Sequence, residues 1–369
     1  MKKKKILFII WSYTYGGGAE KILTNIVNNL NSEKYQIDII EYWHTNINKE
    51  NTNKNIKVLP YIIDAEKDSK IKKIIYKILL ILFPGLISRK YIKDKYDVEI
   101  AFNYMIPTFL LSKKCKTISW MHGDINDLKI KKIDYLLQKH SLKYVDKIIA
   151  ISNNTYNSIT NVFPEYSKKL VLLNNGYDLK KIKELAQEKI DIKSKHKYNI
   201  LFINRFDSNK NPVFALNVLN HLLKQQIDVK LWFLGKGELE KEIITKSSEL
   251  NISDNIEIIG YKSNPYPYIK FCDVVLGCSK SEGFPTIFIE SLVLAKPFIS
   301  TPVGGALEIS DNGKCGIVAN TFEEYVSLLC KLLEDDEFYN KLSEYGSTYV
   351  KKFSIEEQIK KIENILESL

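Results

Sequence analysis

Residues 273–305 are the segment that most restricts the folds open to this chain. An apolar run at 273–276 predicts a buried strand, and a helix is predicted over 286–295, with Pro285 in the position of a first-turn proline. A further short strand is predicted at 298–300. Strand, helix and strand in this order are typical of a parallel sheet covered by helices.

The same segment suggests an anion site with carboxylates beside it. The N-terminus of a helix carries partial positive charge and free N–H groups, so it attracts phosphate. Glu282 lies in the loop and Glu290 in the helix, with seven residues between them. A nucleotide sugar fits both features, because its diphosphate would meet the helix and its sugar and ribose hydroxyls would donate to the carboxylates. The alternative is that both glutamates belong to a solvated surface.

The run 282–286, together with Glu290, Gly304 and Gly305, resembles the Glu-x7-Glu signature of retaining GT-B glycosyltransferases. The resemblance is closest to glycosyltransferase family 4, relatives of glycogen synthase that build bacterial surface polysaccharides. It covers nearly the whole chain and is densest at 200–310. It implies an α/β fold of the GT-B type, in which two Rossmann-like domains face each other across a cleft and a C-terminal helix crosses back to the first domain.

Length and polarity divide the chain near its middle. At 369 residues it is long enough for two domains, and the polar, lysine-rich stretch 179–198 is the best candidate linker. With the resemblance, we predict an acceptor-binding domain at 1–180 and a nucleotide-sugar-binding domain at 181–353. The last helix, 354–369, is expected to pack on the first domain.

The first domain begins with a glycine loop. An apolar strand is predicted at 6–10, followed by Gly16, Gly17 and Gly18 and then by an amphipathic helix at 19–30. Glycines let a ligand approach the backbone, although a plain tight turn would use them too. The run does not match the GxGxxG pattern of dinucleotide-binding folds. A similar loop in family 4 faces the donor diphosphate, so the resemblance assigns these glycines to donor binding.

His122 is the candidate catalytic side chain of the first domain. It follows an apolar run, 118–121, and precedes Gly123, so it is expected at the rim where doubly wound sheets bind ligands. A single histidine in such a place is also often structural. Members of family 4 carry a histidine in a similar position close to the transferred sugar, and the resemblance implies the same role for His122.

Arg205 and Lys210 follow the strand predicted at 198–203. Arginine offers a planar fork and lysine a mobile point charge, a pair suited to two phosphates, although both residues are also ordinary surface cations. The run 204–212 resembles the Gly-Arg-Leu…Lys-Asn-Pro motif of family 4. Asn204 stands where the family usually has glycine, which predicts a slightly shifted backbone there.

The resemblance implies transfer of a hexosyl or N-acetylhexosaminyl unit from a UDP-sugar with retention of configuration, by front-face substitution. The chain has no Asp-x-Asp motif, so cations and the helix terminus would neutralise the leaving diphosphate, with no metal or other cofactor. The expected catalytic residues are His122, Arg205, Lys210 and Glu282. The expected donor-binding residues are Gly16, Gly17, Gly18, Arg205, Lys210, Tyr261, Lys262, Glu282, Gly283, Phe284, Pro285, Thr286 and Glu290.

Two other functions stay open at this point. One is a non-catalytic GT-B subunit that stabilises an active partner, although such a subunit usually loses its phosphate-binding cations and its glutamates. The other is a nucleotide-sugar epimerase of the same fold, which lacks this Glu-x7-Glu context. Nucleic-acid binding is not expected, because no aromatic-basic motif of that kind appears.

Charge and a basic amphipathic segment predict where the protein works. Residues 1–180 carry a net charge of +13 and residues 181–369 one of −3. The five scattered cysteines are typical of a reducing cytoplasm. Segment 70–93 has seven Lys or Arg and no acid, and a helical apolar stripe from Ile71 to Phe83. It could bury that stripe in the core. We expect instead that it docks on anionic lipid at the inner face of the membrane, where the acceptor, a polyprenyl-diphosphate-linked glycan, would be met.

Overall fold

The computed structural model describes residues 3–15, 18–47, 52–112, 114–123, 125 and 131–369. The chain folds into two compact units. Unit 1 comprises Met1–Tyr177 with Ile355–Leu369, and unit 2 comprises Asp178–Ser354. The boundary predicted at 180 lies a few residues beyond the observed one.

Strands and helices alternate along both units. The strands are β1 (Lys4–Ile10), β2 (Tyr35–Glu41), β3 (Trp43–His44), β4 (Lys57–Val58), β5 (Ile63–Asp64), β6 (Val98–Ala101), β7 (Lys116–Met121), β8 (Lys147–Ala150), β9 (Leu170–Leu172), β10 (Tyr198–Ile203), β11 (Val229–Leu234), β12 (Ile256–Gly260), β13 (Val274–Gly277), β14 (Phe298–Ser300) and β15 (Ile317–Val318). The helices are α1 (Gly18–Asn29), α2 (Lys70–Leu82), α3 (Pro84–Tyr91), α4 (Ile106–Phe109), α5 (Lys132–Leu142), α6 (Asn153–Val162), α7 (Leu179–Leu185), α8 (Pro212–Lys224), α9 (Glu240–Glu249), α10 (Tyr266–Phe271), α11 (Thr286–Val293), α12 (Ala306–Ile309), α13 (Phe322–Glu334), α14 (Asp336–Tyr349) and α15 (Ile355–Glu367).

Unit 1 is built on a parallel sheet of order β4-β2-β1-β6-β7-β8-β9. The apolar run 6–10 in β1 is completely buried, as expected for a central strand with helices on both faces. A small parallel pair, β3 with β5, lies apart from this sheet. The carboxyl ends of all parallel strands lie along one edge, and ligands of such sheets bind there.

Helix α15 returns to unit 1, which confirms the predicted crossing. Ile362 and Leu366 join the core formed by β1, β2 and α1. The turn that receives the helix is tight, because a Cβ on Gly176 would lie 2.8 Å from the Cα of Ile355. The Ile355 N–H donates to the Tyr177 carbonyl oxygen at 2.9 Å. The apolar stripe of the last helix therefore completes the first unit.

Unit 2 has a parallel sheet of order β12-β11-β10-β13-β14-β15. The chain enters at β10 and moves outward through β11 and β12. It then returns to β13 on the other side of β10 and continues to β14 and β15. The reversal between β10 and β13 is a topological switch point, where the loops on either side diverge and leave a crevice.

The stretch predicted as a linker is part of unit 2. Its first residues form α7, whose N-cap is Asp178: the carboxylate accepts from the Lys181 N–H at 2.9 Å. The Asn264 amide donates to the Leu185 carbonyl oxygen at 2.9 Å, and Lys270 donates to Gln187 at 2.7 Å. Three of the lysines that suggested a linker lie on α7, which these contacts tie to unit 2.

Helices α2 and α3 expose the apolar stripe that the sequence placed at 71–83. Tyr76 and Leu80, outside that stripe, are the residues that α2 buries. Helix α2 ends at Leu82, and a second helix, α3, begins at Pro84. The stripe residues exposed by half or nearly so are Ile71, Ile74, Ile75, Ile78, Leu82 and Phe83. Among the described residues, no helix combines the length and apolarity needed to cross a bilayer.

Candidate active site

The candidate site of unit 2 lies at the carboxyl edge of its sheet, on both sides of the switch point. The loop after β10 carries Arg205 and Lys210, and the loop after β13 carries Glu282. Since β10 and β13 are neighbouring parallel strands, their following loops emerge side by side. The sequence prediction of these three residues in one site is consistent with this topology.

Hydrogen bonds join the two loops. Asp207 organises the first of them, since its Oδ1 accepts from the backbone N–H groups of Asn209 at 3.0 Å and Lys210 at 2.9 Å. The Asn209 amide then donates to the Ser281 carbonyl oxygen at 3.1 Å, and the Lys280 N–H donates to the Asn209 carbonyl oxygen at 2.8 Å. The backbone bonds fix the spacing of the charged side chains that the loops carry.

Lys210 and Glu282 form an ion pair across the switch point. The Lys210 ammonium contacts Glu282 Oε1, which also accepts from the Ser279 hydroxyl at 2.8 Å. The two side chains retain only 13% and 17% of their exposure. Charges withdrawn from water to this degree are stabilised by each other, so each group holds the other in place. The pair leaves the second carboxylate oxygen of Glu282 as an acceptor for a ligand hydroxyl.

The side chain of Arg205 is far more exposed to solvent than that of Lys210. Its side chain is 76% exposed, and its Nη2 lies 3.2 Å from Asp207 Oδ2. Asp207 therefore contacts both cationic residues. It accepts a hydrogen bond from the backbone N–H of Lys210 and forms an ion pair with the side chain of Arg205. The exposed guanidinium can reach a phosphate with little rearrangement, whereas Lys210 is fixed in advance.

The loop before α11 ends at a helix start that no side chain caps. The sequence predicts Pro285 in the first turn of the helix, but it is the N-cap, one position earlier. The helix runs from Thr286 to Val293. The first N–H groups of such a helix can bind an anion. Phe284 packs edge-on against Phe353, with ring centroids 5.9 Å apart. A Cβ on Gly305 would lie 2.7 Å from the Phe284 ring and its φ is +76°, so glycine is required in this loop.

Glu290 is positioned by a tyrosine that the sequence reasoning missed. The Tyr266 hydroxyl lies 3.5 Å from Glu290 Oε1, a long hydrogen bond. Burial raises the pKa of Tyr266, and the neighbouring Glu290 carboxylate raises it further. The tyrosine thus stays a neutral donor toward Glu290. Because 24 residues separate the two, no local spacing could have linked them.

Tyr261 and Lys262 follow β12 and are exposed, and the Lys236 ammonium lies 5.2 Å from the centroid of the Tyr261 ring. The loop after β11 approaches the loop after β10 closely: a Cβ on Gly235 would lie 1.9 Å from the Asn204 carbonyl oxygen. Only glycine permits that approach. The loops after β10, β11 and β12 are therefore bound together at one edge, and Tyr261 offers an exposed ring there.

Unit 1 holds His122 at the carboxyl end of β7. Its ring packs on Phe102 at 4.7 Å and lies parallel to Trp120 at 6.4 Å. Burial lowers the pKa of His122 to about 4, so the imidazole is neutral near pH 7. His122 Nε2 and the Tyr104 hydroxyl, from adjacent strand ends, are buried polar atoms without a protein partner within the described structure. Orphaned buried polar atoms at a ligand-binding edge are candidates for contacting a ligand.

The glycine loop is described only in part. Gly18 is the first residue of α1, and a Cβ there would meet nothing within 4 Å. The predicted donor contacts of Gly16 and Gly17 lie outside the described residues.

Comparison with known proteins agrees with this architecture. Residues 182–349 match the family described as "Glycosyl transferases group 1". A protein of Campylobacter jejuni named N-acetylgalactosamine-N,N'-diacetylbacillosaminyl-diphospho-undecaprenol 4-alpha-N-acetylgalactosaminyltransferase is 27% identical, covering 93% of this chain and 94% of that protein. A second C. jejuni protein, an alpha-1,4-N-acetyl-D-galactosaminyltransferase named for a GalNAc-bearing diphospho-undecaprenol, is 27% identical over 95% of both chains.

Solved structures show the same fold. A glycosyltransferase from Rickettsia africae superposes with a TM-score of 0.77 at 18% identity, covering 100% of this chain and 99% of that one. The Anabaena protein HepE, crystallised with UDP, superposes with a TM-score of 0.74 at 15% identity, covering 99% of this chain and 100% of that one. The chain therefore has the fold of solved glycosyltransferases, and residues 182–349 match a family of enzymes that transfer a sugar.

Proposed function

We propose that this enzyme is a family 4 glycosyltransferase that moves a hexosyl or N-acetylhexosaminyl unit from a UDP-sugar to a polyprenyl-diphosphate-linked glycan, with retention of configuration. The pathway would be the synthesis of a bacterial surface polysaccharide. The observation that carries the proposal is the Lys210–Glu282 pair at the switch point of unit 2, with Arg205 exposed beside it. This arrangement combines cations for a diphosphate with a carboxylate for hydroxyl groups.

The donor contacts follow from the charges. Arg205 and Lys210 bind the two phosphates, and the N-terminus of α11 adds N–H donors. Glu290, aligned by Tyr266, accepts from the ribose hydroxyls, and Tyr261 stacks on the nucleobase. Glu282 accepts from a hydroxyl of the transferred sugar. The structures of HepE in complex with UDP and with UDP-glucose support a UDP donor by analogy.

The bond changes balance without a protein nucleophile. The bond between the anomeric carbon and the donor phosphate oxygen breaks, and the acceptor oxygen bonds to the same face of that carbon. The acceptor hydroxyl proton passes to the departing phosphate oxygen. Arg205, Lys210 and the α11 terminus stabilise the charge that grows on the diphosphate, which is the role a metal plays in other transferases. Neutral His122 is available as a hydrogen-bond partner for the sugar.

The acceptor proposal rests on the names of relatives and on the surface of unit 1. The two C. jejuni relatives are named for diphospho-undecaprenol substrates. The exposed stripe of α2, extended by the exposed Leu86 of α3, provides an apolar surface, flanked by the exposed cations Lys70, Lys77, Arg89 and Lys93. We place this face on the anionic inner surface of the membrane, so that the protein is cytoplasmic and peripherally bound.

The opposite side of these helices explains why the stripe is outward. Tyr76 and Tyr91 share a hydrogen bond of 3.0 Å, and the Lys90 ammonium donates to the Tyr76 hydroxyl at 2.7 Å. Ser88 donates to the Leu110 carbonyl oxygen at 2.7 Å. The first two contacts join α2 to α3 and the third ties α3 to the rest of unit 1, so the apolar stripe on the other side of α2 faces solvent. Leaving that much apolar surface in water is costly unless something covers it.

Arg205→Ala and Glu290→Ala are expected to lower the rate of sugar transfer by roughly 30- to 1,000-fold, because each removes a charge-assisted contact to the donor. Glu257→Ala is the matched control, since Glu257 is exposed on the same unit and pairs only with Lys230 in the described structure. Steady-state transfer with a panel of UDP-sugars measures the effect, and circular dichroism checks the fold. Near-wild-type turnover of either site variant would contradict the assignment of that residue to donor binding.

Transfer is expected to survive exhaustive chelation by EDTA, since the cations of the protein neutralise the diphosphate in this proposal. The measurement compares initial rates before chelation, after it and after Mg²⁺ or Mn²⁺ is added back. A rate that disappears with EDTA and returns with the metal would contradict this part of the proposal.

Ile74→Asp with Ile78→Asp is expected to abolish sedimentation of the protein with anionic liposomes, and Lys77→Glu with Arg89→Glu and Lys93→Glu to weaken it severalfold. The reason is loss of apolar insertion in one case and of electrostatic attraction in the other. Lys72 and Lys73 are avoided, because they contact Asp68 and the Ala65 carbonyl oxygen.

Ile244→Asp is the control for this experiment, because Ile244 is 52% exposed on unit 2. Equal sedimentation of all variants, or no binding by the wild-type protein, would exclude α2 and α3 as the docking surface.

A further inference from the structure

One exposed tryptophan of unit 1 has no part in the donor site. Trp11 follows β1 directly and is 39% exposed, whereas Trp120 and Trp232 are buried. It lies at the carboxyl edge of the unit 1 sheet, just after β1. Strand β1 pairs with β6, and β6 pairs with β7, the strand that His122 follows. A large aromatic ring left open to water at a ligand-binding edge is a candidate contact surface.

The backbone of Trp11 is held on both sides. Its N–H donates to Asn103 Oδ1 at 2.9 Å, and its carbonyl oxygen accepts from the Trp43 N–H at 2.7 Å. Asn103 follows β6 and Trp43 begins β3. The backbone of Trp11 is therefore bound to residues beside β6 and in β3, so its ring is not on a free loop.

The side chain is fixed as firmly as the backbone. The Trp11 ring is nearly parallel to Trp43, at 5° and 5.8 Å between centroids, and stacks on Tyr42 at 26° and 5.3 Å. Tyr42 is buried, and burial raises its pKa to about 12. Lys73 of α2 holds the other end of the stack, with its ammonium 5.7 Å from the Trp43 ring centroid. A stacked and immobilised indole loses little conformational entropy when a ligand covers it.

We propose that Trp11, supported by Trp43 and Tyr42, is a stacking platform for a pyranose ring of the acceptor glycan. One face of a pyranose presents C–H groups that carry slight positive charge, and the face of an indole is electron-rich and apolar. A hexose or hexosamine can therefore cover the ring while its hydroxyls stay solvated at the rim. This inference rests on the proposed function, since it names where the acceptor of that reaction binds.

The position of α2 favours an acceptor sugar over a sugar alone in solution. Lys73 lies in the first turns of α2, on the side opposite the exposed stripe, so the platform lies about one helix diameter, roughly 10 Å, from the surface proposed to face the membrane. The helix is about 20 Å long at 1.5 Å per residue. A glycan whose lipid lies in the membrane under α2 and α3 would carry its sugars along this side of unit 1 and reach Trp11 there.

The test compares wild type, Trp11→Ala and Trp11→Phe with two probes: a short-chain prenyl diphosphate bearing N-acetylgalactosamine, and the same prenyl diphosphate without sugar. The wild type is expected to bind the sugar-bearing probe more tightly, with quenching of tryptophan fluorescence. Trp11→Ala is expected to remove that preference and raise the acceptor KM by about tenfold. Trp11→Phe keeps a flat ring and is expected to retain most of the preference.

Affinity for UDP is expected to stay the same in every variant, which separates a failure of this inference from a failure of the donor site. Tyr144→Ala is the matched control, because Tyr144 is an aromatic residue of unit 1 with 42% exposure that precedes β8, at the opposite edge of the sheet, and should not change the acceptor KM. An unchanged KM in Trp11→Ala would overturn the proposal. So would a loss of liposome binding with no change in sugar preference, since Trp11 would then be a membrane anchor.

Discussion

The ion pair between Lys210 and Glu282 is the interaction on which the proposed donor site depends. It joins loops from the two strands that flank the switch point, and both side chains are largely withdrawn from water. Removing one partner would leave the other charge partly buried and unpaired, at a cost of roughly 3–5 kcal/mol for a fully buried pair and less here. Asp207 and Asn209 fix the same loops through the backbone. The charge pattern that suits a nucleotide sugar is therefore also what holds the site together.

Much of the donor half was predictable because it is encoded locally. The limits of β10 and β14 match the strands predicted at 198–203 and 298–300, and Arg205, Lys210 and Glu282 follow strands whose neighbours are fixed by the parallel topology. Contacts between distant segments were not predictable in this way. Tyr266 beside Glu290 and Asp207 beneath Arg205 depend on packing that no spacing reveals.

The amphipathic segment shows what periodicity alone leaves undecided. A helical stripe at 71–83 is equally expected for a core helix and for a surface helix. The contacts of Tyr76, Leu80 and Ser88 with unit 1 decide which face turns inward. The lysines at 179–198 misled in a similar way, because the exposed lysines of α7 and of the stretch that follows it have the composition of a linker. In both cases tertiary contacts, rather than composition, set the outcome.

The central claim is transfer with retention, and the configuration of the product tests it most directly. The purified enzyme is incubated with α-linked UDP-hexoses and UDP-N-acetylhexosamines and a short-chain prenyl-diphosphate glycan, and the anomeric proton coupling of the early product is measured by NMR. The front-face substitution proposed from the resemblance to family 4 predicts an α-linked product. A β-linked product, or no transfer from any of these donors, would contradict the account.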